Sequence, residues 1–187
     1  LGQDGDEKIV LDPAGGHSPV FYWLAEENRS THFIEMDTAK VIDNKKRVLK
    51  QIGIPSNLHL QSVNLIEQNL HEVQAVSVDV IVTLGAYVSH SDYRAMLRYL
   101  QNTLNPDGHI IVSFPYSQGI ENFQENGSIF SRIVTTPKGF INEEEDIHTI
   151  FKDTDFTVSE IIKLSDLAKA QDKPIPADIE MFAIAKL

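Results

Sequence analysis

The segment Asp12-Pro13-Ala14-Gly15-Gly16-His17-Ser18-Pro19 brings together a carboxylate, two adjacent glycines and a helix-start signal. Glycine has no Cβ, so backbone at Gly15 and Gly16 can approach a ligand closely. Ser18 then Pro19 reads as an N-cap with proline in the first helical position, and the helix beyond would offer unpaired N–H groups. The segment lacks the G-x-G-x-x-G of a dinucleotide loop and the Gly-Lys-Ser/Thr of a P-loop. Taken alone it is equally a plain strand-to-helix turn. Asp37, about one βαβ step further on, can accept hydrogen bonds from both hydroxyls of a ribose; its other role is to cap the next helix. Asn64 offers an amide that donates to and accepts from an adenine edge, or is a loop residue. Leu84-Gly85 offers an apolar contact and a carbonyl for a cationic amino group, or core packing alone. His90 is the first candidate for a general base, followed by His17, Tyr87 and Tyr116, with packing or capping as the competing role for each. The histidines show no H-x-x-x-H or H-E-x-x-H spacing, so no metal site is expected.

These residues depend on elements that deliver strand ends to one place. Lys8 to Asp12 is a short apolar run ending in a carboxylate, which predicts a buried parallel strand. A helix is predicted from Pro19 to about Glu27 with Val20, Trp23 and Leu24 inward. Thr31 to Glu35 reads as the second strand, ended by Met36-Asp37. Ala39 to Ile52 reads as a helix with Val41, Ile42, Val48, Leu49 and Ile52 on one face, stopped by Gly53. Leu58 to Val63 is a third strand, Ile66 to Val76 a helix, and Val78 to Leu84 a β-branched central strand. Ser91 to Leu104 reads as a helix, Asn105-Pro106-Asp107-Gly108 as a turn, and His109 to Phe114 as the fifth strand. Residues 115–140 are polar and broken by Pro and Gly, and read as an insertion over the active-site end. Asn142 and Glu145 have capping-box spacing. Thr157 to Leu164 and Ile179 to Leu187 close the pattern, joined by a polar connection over Ala168 to Pro176. Alternation of this kind predicts an α/β fold, a parallel sheet with helices on both faces, and residues 1–187 read as a single domain. In such sheets ligands bind at the carboxyl ends of strands near the switch in strand order, where Asp12 to Pro19 falls.

Composition narrows the partners. Hydrophobic residues are 42% and charged residues 23%, ordinary globular usage. The net charge of −11 repels phosphate backbones, so nucleic acid is not an expected partner. The basic cluster Lys45-Lys46-Arg47, with Lys40 and Lys50, reads as a solvated helix face. No apolar run is long enough to span a bilayer, so no membrane is expected. Cysteine is absent and no secretory signal is visible, which fits a cytoplasmic protein. The chain opens on Leu1, which reads as a processed or trimmed product.

The layout resembles class I S-adenosylmethionine-dependent methyltransferases, and the likeness runs from Lys8 to Leu187. Asp12-Pro13-Ala14-Gly15-Gly16-His17-Ser18 is similar to that family's acidic-x-Gly-x-Gly-x-Gly motif, with Ala14 and Ser18 in place of the first and third glycines. Asp37 matches the second acidic position, and Asn64-Leu65 the family's "acidic or Asn, then Leu". The resemblance implies a seven-stranded, mostly parallel Rossmann-like sheet with an antiparallel last strand. It implies S-adenosylmethionine as cofactor, held by Asp12, Ala14, Gly15, Gly16, Asp37, Asn64, Leu65 and Leu84. The implied activity is methyl transfer to a small-molecule acceptor, O-methylation first, with His90 as base. Residues Phe33 to Asp37 and Val41 to Arg47 are similar to the leucine carboxyl methyltransferase and polyketide O-methyltransferase branch. The helices that usually precede the first strand are missing, so a homo-oligomer or another partner supplies the lid, or the chain was trimmed, or the site works open. The alternative function is a catalytically inactive binding or scaffold module of the same fold. A nicotinamide oxidoreductase is disfavoured by the absent dinucleotide motif.

Overall fold

The computed structural model describes residues 7–63, 77–85, 89–117, 140–173 and 180–187. In chain order its elements are β1 (Lys8–Asp12), α1 (Val20–Glu27), β2 (Thr31–Asp37), α2 (Ala39–Leu49), β3 (Leu58–Ser62), β4 (Val78–Thr83), α3 (His90–Leu100), β5 (Leu104–Pro115), α4 (Glu144–Phe151), β6 (Thr157–Lys163), α5 (Leu164–Ala170) and β7 (Glu180–Lys186). The strands form one sheet in the order β3-β2-β1-β4-β5-β7-β6. β1 pairs in parallel with β2 and with β4, and β2 with β3. β7 runs antiparallel to both β5 and β6. The expected α/β sheet, mostly parallel with an antiparallel last strand, is therefore present. Strand order reverses at β1, so the loop after β1 leaves the sheet at its switch point. The predicted helix from Ile66 to Val76 lies outside the described residues, as do 118–139 of the insertion.

By contact the chain divides into two compact units. The first comprises Leu1–Thr83 with Thr103–Gly108. Its core joins Phe21 and Ala25 of α1 to Phe33, Leu49 and Leu58, and the rings of Phe21 and Phe33 meet edge to face at 5.4 Å. α1 starts at Val20, one residue later than expected. Its inward stripe is Phe21 and Ala25, four apart, flanked by Val20 and Leu24. Trp23 was expected inward but is 58% exposed, because it projects from the other side of that stripe. On α2 the buried residues are Ile42, Lys45 and Leu49, a helical i, i+3, i+7 row. Val48 and Ile52, also expected inward, are exposed: Val48 is off the row, and Ile52 falls beyond the helix end. Gly53 takes φ +94° as its N–H returns to Leu49 O at 2.9 Å, the left-handed stop that glycine permits.

The expected turn at Asn105 to Gly108 lies within β5, and Leu104 opens that strand instead of closing α3. Val78 N–H donates to Thr103 O at 2.9 Å, and the Asn105 amide donates to Asp79 at 3.1 Å, which draws this stretch to the sheet. The chain still bends there, since a Cβ on Gly108 would stand 2.5 Å from Leu104 Cγ.

The second unit comprises Leu84–Asn102 and His109–Leu187. Ser89 caps α3 reciprocally with Asp92. Tyr93 lies against Phe114 at 4.8 Å, Phe114 meets Phe151 at 6.4 Å, and Phe151 meets Phe156 at 6.1 Å, an aromatic line through the core. The described residues on either side of 118–139 are joined: Ile141 N–H donates to Pro115 O and Ser117 N–H to Ile141 O, each at 3.0 Å. α4 is capped one residue later than expected. Asp146, rather than Glu145, accepts from the Asn142 and Glu143 N–H groups, at 2.7 and 3.3 Å. α5 fills part of the stretch expected to be a polar connection, with Ala168 buried.

Asn57 ties the end of α1 to the start of β2. Its buried Nδ2 lies 3.1 Å from the carbonyls of Ala25 and Asn28 and 2.9 Å from that of Thr31. Asn57→Ala removes the donor to those carbonyls, and should cost about 1–3 kcal/mol. The urea midpoint should fall with the slope unchanged; an unmoved midpoint would show that Asn57 does not hold the junction.

Candidate functional site

The loop after β1 folds back onto the end of β2. Asp12 Oδ1 accepts from Ala14 N–H at 3.0 Å, which turns the chain. Gly15 N–H then donates to Met36 O at 3.1 Å, and Gly16 N–H donates to Asp37 Oδ2 at 2.9 Å. Ser18 N–H returns to Gly15 O at 3.2 Å, and Ser18 Oγ accepts from Val20 N–H at 3.3 Å as α1 begins. Asp37 Oδ1 takes the Thr38 N–H at 2.7 Å. So Asp37 does not cap α2 through its own side chain: Thr38 is the N-cap residue, and Asp37 is oriented by two backbone donors.

The two glycines serve different needs. Gly16 holds φ +53°, a left-handed backbone, and a Cβ there would meet nothing nearer than Ala14 O at 4.0 Å. Gly15 is buried, and a Cβ there would lie 2.5 Å from Glu35 Cγ and 2.8 Å from its Cδ. Gly15 thus makes room for Glu35 beneath the loop. Among the described residues the one non-glycine with positive φ is Asp172, so Ala14 and Ser18 carry no left-handed strain. That explains how a motif can lose its first and third glycines and keep its second.

The loop stands on buried charge. Asp12 is 4% exposed, Glu35 1% and Lys45 7%. Lys45 Nζ bonds Glu35 Oε1 within the interior. Lys45 therefore departs from the expected solvated face: its place in the Ile42 and Leu49 row carries it inward. Burial holds the Asp12 carboxyl up to about 7. The Ala14 N–H and Lys45 oppose that rise, while Glu35 and Asp37 add to it. Burial also raises Glu35, against the hydrogen bond and charge of Lys45. Neither role is expected from the sequence, which places Lys45 on a solvated helix face and Glu35 only at the end of a strand, although both carry a signal. Glu35 lies two residues from Phe33 and so on the same face of β2, and Lys45 shares the helical period of Ile42 and Leu49.

Asp12, Ala14, Gly15, Gly16 and Asp37 thus come together at the ends of β1 and β2. At the end of β4, one strand from β1, the Thr83 hydroxyl is buried with no hydrogen-bond partner among the described residues. Asn64, Leu65 and Tyr87 lie outside the described residues. In the second unit Leu84 is half-buried, and Gly85, at φ +68°, donates its N–H to Ser113 Oγ at 2.8 Å. His90 opens α3, and its Nε2 donates to Phe140 O at 2.9 Å. No group of three or more His, Asp or Glu placed to hold a metal occurs among the described residues. No helix among them is long and apolar enough to cross a membrane.

Gly15→Ala should cost about 3 kcal/mol, because the Glu35 side chain is packed and paired and cannot yield. Gly16→Ala should cost about 1 kcal/mol, backbone strain alone. Urea unfolding that ranks the two the other way round would contradict this division. Asp12 also leaves a pH signature. Its carboxyl takes up a proton on folding between the ordinary value of 3.8 and about 7. Its contribution to stability is full below the lower value and is lost as pH rises through the upper one. Relative to the parent, Asp12→Asn should therefore gain stability from pH 5 to pH 8, by up to about 3 kcal/mol. Parallel stability profiles for the two proteins would count against it.

No protein-family model matches the sequence, and no curated protein matches it. Solved structures do. A candidate O-methyltransferase from Nostoc punctiforme matches with a TM-score of 0.69 at 18% identity, over 98% of this chain and 53% of that one. An O-methyltransferase family 2 protein from Planctomyces limnophilus, in complex with apigenin, matches at 0.68 and 12%, over 100% of this chain and 53% of that one. Human N-acetylserotonin methyltransferase, in complex with S-adenosylmethionine, matches at 0.66 and 12%, over 95% of this chain and 47% of that one. The chain spans about half the length of each of these proteins. At such identities the likeness is one of architecture: the chain has the fold of S-adenosylmethionine-dependent methyltransferases.

Proposed function

We propose that this chain is an S-adenosylmethionine-dependent methyltransferase domain that methylates an oxygen of a small molecule. The observation that carries the reading is the glycine loop docked at the switch point with the Asp37 carboxylate held beside it. The residues present fit the cofactor. Each Asp37 oxygen already accepts one backbone N–H and keeps a lone pair, so the carboxylate can still take two ribose hydroxyls. A Cβ at Gly16 would meet nothing nearer than Ala14 O at 4.0 Å, so backbone there can lie against a ligand. The unpartnered Thr83 hydroxyl adds a buried polar group at the neighbouring strand end. The negative net charge suits a cationic cofactor. Asn64 and Leu65 are assigned to the adenine, and Leu84 to an apolar contact with the cofactor.

When bound, S-adenosylmethionine would supply an electrophilic sulfonium methyl for an acceptor oxygen, with S-adenosylhomocysteine as the leaving group. The protein's task is then to hold the acceptor and, for a hydroxyl, to take its proton. His90 suits that task. Its Nε2–H is committed to the Phe140 carbonyl, so in the neutral ring Nδ1 keeps the lone pair that can receive a proton. The structural neighbours support a small acceptor, since apigenin is bound in one and another is named for N-acetylserotonin. The likeness of Phe33 to Asp37 and Val41 to Arg47 to O-methylating branches agrees with an oxygen acceptor.

Calorimetry with S-adenosylhomocysteine at about 100 μM protein should give saturable heat. Asp37→Ala should bind it at least about tenfold more weakly, the loss expected when hydrogen bonds to a charged group are removed. Unchanged affinity would remove Asp37 from the site. No heat with either the methylated or the demethylated cofactor would leave only a non-catalytic module of this fold.

A further inference from the structure

We propose that Lys45 and Glu35 are a positioning pair for the cofactor loop: their buried contact forms the floor that sets the height of Gly15, and so the register of Gly16 with Asp37. The proposal rests on the function assigned above and names a part of that site that the loop motif does not contain. Three observations carry it. Glu35 occupies the space a Cβ on Gly15 would fill, so loop and carboxylate are in direct contact. The loop is fastened to β2 on both sides of that contact, through Gly15 N–H to Met36 O and Gly16 N–H to Asp37 Oδ2. Lys45 reaches Glu35 from a helical row whose other members, Ile42 and Leu49, are apolar.

Stability alone does not explain a charge pair in that row. A buried ion pair loses about as much in desolvation as it gains by attraction, and apolar side chains of similar volume usually serve a core at least as well. What an apolar pair cannot supply is a fixed polar contact whose direction is set by charge. Removing only Lys45 would leave Glu35 buried and unpaired, so the informative change removes both charges together.

The test is Glu35→Met with Lys45→Met, straight apolar chains of about the original length. The double variant should unfold within a few degrees of the parent. Its Gly15 and Gly16 amides should exchange with solvent at least about tenfold faster, with amides of the β1 and β4 core unchanged. Its affinity for S-adenosylhomocysteine should fall at least about tenfold. Lys45→Arg, which keeps charge and donors, should restore both to within about threefold. If the double variant does not fold, Lys45→Gln gives the same reading with a smaller loosening, since it keeps a donor to Glu35 and removes the charge. Parental exchange at both glycines in the folded variants would overturn the proposal, as would parental affinity. Failure of the unaltered chain to bind the cofactor product would instead sink the assigned function, and the exchange rates would still decide the role of the pair.

Discussion

Glu35 and Lys45 have almost no water to turn to, and everything above them is arranged around that fact. Their contact occupies the space beneath the loop that follows β1. Gly15 can have no side chain because the Glu35 side chain is already there. With Gly15 seated on it, the loop reaches Met36 O, and Gly16 reaches the Asp37 carboxylate. Asp12, one strand away, is left with a buried carboxyl whose proton is held to about pH 7. A half-buried carboxylate, Asp37, thus stands beside three buried ionisable groups, two of them paired with each other.

This arrangement changes how the glycine motif is understood. Glycine is needed where φ is positive or where a neighbour fills the Cβ position, which here means Gly16 and Gly15. Ala14 and Ser18 meet neither condition by their backbone, so their departure from the family pattern does not distort the turn. Ser18 also contributes something glycine would not, a hydroxyl that accepts the Val20 N–H, although Pro19 and not the expected Ser18 holds the N-cap position.

Much of the scaffold was legible because burial writes itself into period. β1 and β4 are short, largely apolar runs of the kind that parallel pairing buries. The turn after α2 was legible in Gly53, but the helix ends at Leu49 and not at the expected Ile52; α3 begins at His90, one residue before the expected Ser91, with Ser89 as its cap. Asp37 and the loop could be placed because strand ends converge at a reversal of strand order. The rest was hidden by residues whose local chemistry points one way and whose tertiary context points another. Lys45 sits in a run of cations, and only its phase with Ile42 and Leu49 shows that it faces inward. Asn105 to Gly108 has turn composition, yet ladder contacts and the Asn105 bond to Asp79 draw it into β5. α5 has a single buried residue, Ala168, and so leaves no apolar stripe to read. Trp23 shows the converse: a large apolar side chain was assigned to the core, while Phe21 and Ala25 held the face that packs.

The central claim is that the docked glycine loop and Asp37 receive the nucleoside of S-adenosylmethionine. Chemical-shift mapping of the ¹⁵N-labelled chain during titration with S-adenosylhomocysteine tests it most directly. Binding at this place moves the amides of Gly15, Gly16 and Thr38, which bond to Met36 O or to Asp37, and moves them along one saturating curve. Amides that stay still there while others shift, or no shift anywhere, would contradict it.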